Sequence, residues 1–349
     1  MSIWKRIREF FESSSSHIVH RYLPLGPGTP PLKGGEGYVQ VFLSSMFLAK
    51  DRAWFTDQYP VVNASLQLKY ADMIVKIAGV ARPPDGMLGQ GVFINYPITT
   101  LMPYRGQTIE IEAGLSALEG TNQLGVAFDV LKDFTTLVGP PVGQALGVVE
   151  KVASGVDRVL DAVGNDIALG VHYTFDEVAA DNRLSLRPGY LAVIGASTQE
   201  LDASKLSIRA DDGILRYDGL QLEGYDYMVF LITTRPERTD WDEFSTIRHY
   251  VNDAIRAHFK GEKKSFETNK AAAIMEALTS PDLIEADQYR AAKGIMGRIK
   301  EAIDSGAGAV GEEFSLEGAV ERFAPPIEAV PRRSMSLEEF LGEEEREGV

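Results

Sequence analysis

Ile167, Leu169, Val171, Tyr173 and Phe175 occupy every second position of the stretch NDIALGVHYTF, with His172 and Thr174 between them. In a helix, residues two apart point to opposite sides; in a strand they share one. Alternation over that length predicts a half-buried strand whose apolar side rests on a core. The same pattern recurs in YVQVFL, in VVNASLQLKY through Val62, Ala64, Leu66, Leu68 and Tyr70, and in MIVKIAGV, GVFINY and GQTIEIEA. GYLAVIG, SKLSIRADDGILRYDG and YDYMVFLITT continue it downstream. Asp211 to Gly213 supply an Asp-Gly turn of the kind hairpins favour. Met228 to Ile232 are apolar on both faces, which places that strand in a sheet interior. Strands at these spacings without regular βαβ alternation predict a mainly antiparallel, sandwich-like β domain over residues 38–236.

From Asp240 the period becomes helical. Asp240 with Glu243 three residues on reads as a capping box, followed by Phe244, Ile247, Val251, Ile255 and Phe259 on one face. A second helix is expected from about Lys264 to Leu278, with Phe266, Ile274, Ala277 and Leu278 inward. A third is expected to start at Ser280 and Pro281, its apolar face formed by Ile284, Ile295, Ile299 and Ile303. Residues 237–305 therefore read as a three-helix unit, and the fold class as α+β.

One passage interrupts the β series. Between 141 and 163 the apolar residues Val142, Ala145, Leu146, Val149, Val152, Ala153, Val156, Val159, Leu160 and Val163 repeat at helical spacing, with Glu150, Lys151, Asp157, Arg158 and Asp161 on the other side. This predicts an amphipathic helix of about 35 Å. Upstream, Phe128, Leu131, Phe134 and Leu137 permit a second one, so residues 126–163 read as a helical insert or hairpin. Its simplest role is to cover the sheet. The five charges oppose a spanning orientation, although Gly143 and Gly147 form a GxxxG pair. Triggered membrane insertion and partner binding are the alternatives.

Composition narrows the function classes. A net charge of −15 opposes a nucleic-acid partner, which needs a concentrated basic surface. Cysteine is absent, which removes disulfides, thiolate metal sites and cysteine nucleophiles, and favours a cytoplasmic protein. The first residues lack the apolar core and cleavage site of a signal peptide. No window reaches eighteen uncharged apolar residues.

Catalytic and cofactor motifs are not found. His17 and His20 lack a carboxylate at ligand spacing, and His249 and His258 do not share a helix face. GAGAVG (306–311) follows a helix and precedes acidic sequence, the wrong context for a dinucleotide loop. Lys33 among glycines is not followed by Ser or Thr, so it is no P-loop, and Ser197 misses the nucleophile elbow. Asp211, Asp212, Asp218, Glu223 and Asp226 are dense enough to raise calcium, but two of the aspartates precede glycine and suit turns. No cofactor or metal is expected, and an enzyme would need an unconventional site converging from distant strands.

The chain ends carry the remaining signal. Residues 1–12 form an amphipathic helix candidate with Trp4, Ile7, Phe10 and Phe11 at helical spacing among Lys5, Arg6 and Arg8. Such a helix docks on its own domain, on a partner, or less readily on a membrane surface. Residues 13–37, rich in Ser, Gly and Pro, read as a linker. Residues 306–349 form an acidic flexible tail: from 311 to 349 there are eleven Glu and four Arg. Its apolar islands, Leu316, Val320 and Phe323, then Leu337, Phe340 and Leu341, suit folding on a partner. PRRSMS within it suits proteolysis or phosphorylation. The expected function is a non-enzymatic interaction or scaffold component of an intracellular complex. It would use both terminal segments to contact another protein, with only minor membrane contact. The alternative is a latent membrane-perturbing effector released by proteolysis or by a partner.

Overall fold

The computed structural model describes residues 3–26, 28–49, 52–53, 56–70, 73–81, 92–106, 108–119, 167–176, 184–209 and 213–306. The chain opens with α1 (Ile3–Ser14), followed by β1 (Val19–Pro24), β2 (Gly37–Phe47), β3 (Arg52–Ala53), β4 (Thr56–Tyr70) and β5 (Met73–Ala81). Next come β6 (Val92–Pro97), β7 (Met102–Tyr104), β8 (Ile109–Glu119), β9 (Ile167–Asp176), β10 (Leu184–Ser185) and β11 (Gly189–Ile194). The last strands are β12 (Leu206–Ile208), β13 (Leu215–Tyr217), β14 (Leu220–Gln221) and β15 (Tyr227–Arg235). Three helices close the described chain: α2 (Ser245–Phe259), α3 (Lys263–Thr279) and α4 (Glu285–Asp304).

The architecture is α+β with mainly antiparallel sheets. One six-stranded sheet runs β1-β11-β15-β2-β6 with β7 also on β2; a second runs β10-β9-β8-β4-β3 with β5 also on β4. Leu43 of β2 and Phe230 of β15 share a single buried cluster with Leu66 of β4, Ile111 of β8 and Val171 of β9, so the two sheets bury their apolar faces in one core. Strand β15 is buried on both sides, as its continuous apolar run requires. Met228, Phe230 and Ile232 join the shared core, while Tyr227, Val229 and Leu231 meet Leu206, Leu215 and Leu222 of the three-stranded sheet region. At the tip of β13 and β14, Asp218 and Gly219 both have positive φ, 52° and 84°, and Tyr217 pairs with Leu220. That is a two-residue primed turn, and it assigns Asp218 to turn geometry. Asp211 and Asp212 lie outside the described residues, as do the insert at 126–163 and the tail from 307.

Five expectations are corrected. The segment expected as a linker contains β1, paired over six positions with β11; as an edge strand it needs one neighbour only and tolerates Pro24 at its end. Strand β9 keeps Leu169, Val171 and Phe175 in the core, but the register slips between Leu115 and Ser116, which faces Ile167. That irregularity turns Ile167 toward the opposite side of the sheet. Asp240 does not cap α2. Its carboxylate accepts from the Arg238 side chain, and Trp241 to Glu243 make a 3₁₀ turn before α2 begins. Helix α4 starts at Glu285 rather than Ser280, because Leu283 and Ile284 leave the helical path to be buried. Phe259, expected inward, is 37% exposed.

The helical unit is tied to the sheets through a buried polar cluster. The Tyr38 hydroxyl donates to the Asp287 carboxylate at 2.7 Å and accepts from the Ile284 N–H at 3.0 Å. Asp287, fully buried, also accepts from the Arg238 N–H at 2.7 Å and from Arg290. Arg238 is 2% exposed; its guanidinium donates to Asp240 and to the Leu101 carbonyl, and lies 4.7 Å over the Phe244 ring. Burial, and next the Asp287 carboxylate, pushes the Tyr38 hydroxyl far above its ordinary pKa, so it stays a donor. Tyr38→Phe is expected to lower stability by about 1–3 kcal/mol, because Asp287 and the Ile284 N–H each lose a partner. Asp287→Ala should lower it by about 2–5 kcal/mol, because the buried Tyr38 hydroxyl and Arg238 N–H both lose their acceptor. Urea unfolding monitored by far-UV circular dichroism measures both.

Candidate functional site

The residues assigned to contact from the sequence meet the structure first in α1. Alternation along β8 sends Ile109, Ile111, Ala113 and Leu115 to the core and Glu110, Glu112, Gly114 and Ser116 to the outer face. Gly114 pairs directly with Gly170 of β9. Two missing side chains in register leave a depression on that face, and α1 lies in it. A Cβ on Gly114 would sit 2.9 Å from Ile7 Cγ1, and one on Gly170 3.0 Å from Phe10 Cδ1 and 3.3 Å from the Ile7 carbonyl. Ile7 is accordingly 1% exposed, and Phe10 and Phe11 pack partly buried against the shared core.

An ion pair fixes the helix beside this seat. The Arg8 side chain donates to Glu112, with Nε at 3.1 Å. The Glu112 side chain is 3% exposed and that of Arg8 is 47% exposed, so the charge is held at the rim with one partner desolvated. The hydrogen bond to Glu112, then its charge, raises the Arg8 pKa above its ordinary value. Across the strand pair, Glu112 faces His172, whose Nε2 is 3.6 Å from Glu110 and so beyond hydrogen-bonding distance. At the C-terminal end of α1 the fit loosens. A cavity of about 250 Å³ opens between Phe10, Ser13 and His17 on one side and Leu169, Gly195 and Asp226 on the other. It falls below the ~300–1,000 Å³ of ordinary small-molecule sites.

Of the ten contact residues expected from the sequence, Ile7, Phe10 and Phe11 are therefore occupied by the chain's own strands in this state. The side chain of Trp4 lies outside the described ones, as do Leu316, Val320, Phe323, Leu337, Phe340 and Leu341. The glycine pair and the Arg8–Glu112 contact were not anticipated. Glycine inside two strand patterns is the available signal, since it marks close approach of another element. Among the described residues no three His, Asp or Glu side chains group closely enough to hold a metal ion. No helix among them is long and apolar enough to cross a membrane. In comparisons with known proteins the chain matches no family model, no curated protein and no solved structure.

Gly170→Val is expected to dislodge α1 while sparing the sheet, because valine suits a strand but collides with Phe10 and the Ile7 backbone. Amide hydrogen exchange should show protection lost across residues 3–14 and kept in β11 and β15; protection retained in α1 would refute the glycine seat.

Proposed function

We propose that the protein is a non-enzymatic interaction component of an intracellular assembly. In this reading a sandwich-like β domain and its helical unit form the scaffold, and the two chain ends make the contacts. The observation that carries it is the seating of α1 on Gly114 and Gly170, a helix-in-groove contact made within one chain. Among the described side chains of α1, Ile7, Phe10 and Phe11 are engaged, and a cavity opens at its C-terminal end. Release of the helix would free Ile7, Phe10 and Phe11, and would uncover the depression beneath. The acidic segment with Leu316, Val320, Phe323, Leu337, Phe340 and Leu341 is the second contact element, suited to folding on a partner.

Two truncated chains test this, one lacking 1–14 and one lacking 311–349, each compared with the full chain for co-purifying proteins from native lysate. The proposal expects a specific partner to be lost with 311–349, and Gly170→Val to increase recovery of any partner that needs α1. Identical recovery from all forms would eliminate the role of the chain ends.

A second reading is favoured by the position of α1 across β8 and β9, the two strands between which residues 120–166 run. A basic, aromatic helix laid over that junction suits a latent membrane-perturbing effector, with the valine-striped 141–163 stretch as its active part. Dye leakage from anionic vesicles, measured before and after limited proteolysis, separates the two. Leakage appearing only after cleavage supports the effector, and its absence in both states removes it.

A further inference from the structure

The connection between α2 and α3 concentrates positive charge in an otherwise acidic chain. Helix α2 ends in a Schellman turn: the Glu262 N–H donates to the Ala257 carbonyl at 2.9 Å, the Gly261 N–H to the His258 carbonyl at 2.9 Å, and Gly261 has φ +75°. This fixes the chain so that Lys260, Lys263 and Lys264 are all exposed within five residues. Aromatic surface lies among them. His258 meets Phe259 and Phe266 edge-on at 5.4 Å each, and Lys270 Nζ lies 5.6 Å from the Phe266 ring centre.

These lysines are unbalanced. Among the described residues no carboxylate lies within 4.0 Å of Lys260, Lys263, Lys264 or Lys270, whereas neighbouring Arg256 is paired with Asp253 at 2.9 Å. The nearby acidic residues Glu262 and Glu267 are themselves exposed. Lys263 and Lys264 also occupy the first turn of α3, which has no acidic residue and no side-chain cap. The helix dipole disfavours cations at that end and favours anions. Local chemistry of this kind, set against its own helix, marks a surface awaiting negative charge.

We propose that the α2–α3 turn is the docking surface for the acidic C-terminal segment of this same chain, residues 311–349. Charge complementarity supports it, since that segment has eleven Glu against four Arg. Its islands, SLEGAVERF and SLEEFLGEEE, place Leu and Phe beside Glu and so match a surface of Phe beside Lys. The point of departure supports it too. Helix α4 of the same unit ends at Asp304, and about ten extended residues reach up to about 35 Å, beyond the ~30 Å length of α4. Tethering supplies a high effective concentration, so weak exposed contacts suffice within the chain. The inference deepens the contact role proposed for this segment: docked, its Phe340 and Leu341 are withheld from a partner.

The absence of cysteine allows a direct test in the full chain. Ser265→Cys and Ser336→Cys carry a donor and an acceptor fluorophore. Energy transfer should be high at low ionic strength and fall several-fold toward about 1 M salt, where screening shortens to ~3 Å. The triple variant Lys260→Glu, Lys263→Glu, Lys264→Glu should lower transfer to the same extent with α-helical circular dichroism unchanged. Adding Glu343→Lys, Glu344→Lys and Glu345→Lys should restore it, which a merely misfolded variant would not do. Transfer indifferent to salt and to charge reversal overturns the proposal. Transfer that falls on dilution assigns the surface to a second copy and overturns it as well. So does binding of phosphatidylserine vesicles that depends on the three lysines while transfer does not. Partner recovery unaffected by loss of 311–349, with transfer behaving as expected, would sink the partner role alone and leave the docking intact.

Discussion

A carboxylate with no access to water, Asp287, holds the helical unit to the sheets. It takes the hydroxyl of Tyr38 from β2, the backbone N–H of Arg238 and the side chain of Arg290, so strand, connection and helix converge on one anion. Arg238 extends the cluster to Asp240, the Leu101 carbonyl and the Phe244 ring. Burying a charge is costly unless its partners are in place, so the arrangement tolerates few geometries. The hydrophobic contact at this joint is small, comprising Tyr38, Leu101 and Ile284. Direction and register across it come from the polar groups, while the two larger apolar cores supply cohesion on either side.

Much of the β architecture was legible because strand burial obeys a period of two. The alternation in β4 and β9 and the two-sided burial of β15 follow from residue order alone. What escaped depends on partners distant in sequence. Strand β1 carries too little apolar sequence to announce itself and exists because β11 offers an edge. Ile167 follows the expected alternation in sequence, yet a register slip against β8 displaces it. Asp240 carries a good cap pattern, but the buried guanidinium of Arg238 competes for its carboxylate and wins, since leaving that cation unpaired would cost far more than an unfilled cap. The late start of α4 has a similar cause, with Leu283 and Ile284 claimed by two different cores.

The candidate site was legible in part. The apolar stripe of α1 was recognisable from spacing, but its surroundings were not. Gly114 and Gly170 each signal a close approach within a strand pattern, but that they form one seat follows only when pairing sets them side by side. The reading of α1 as a contact element thus separates into two states. Docked, its stripe is satisfied internally by Ile7, Phe10 and Phe11; released, it is the aromatic surface that composition suggested. The seat favours the docked state through shape, and the Arg8–Glu112 pair adds charge complementarity at the rim.

The route of the N-terminal chain adds a mechanical consequence. Helix α1 rests on β8 and β9 of one sheet, and after the 3₁₀ turn Ser15–His17 the same backbone becomes β1, the outermost strand of the other sheet. The segment is thus a strap across both layers, with a run of four serines at its crease. Tension on the helix delivered lengthwise to this strand would load its six pairs together in shear, because their hydrogen bonds lie across the strand. A single backbone cut at the crease would uncouple the two, letting the helix leave while the layers beneath remain closed.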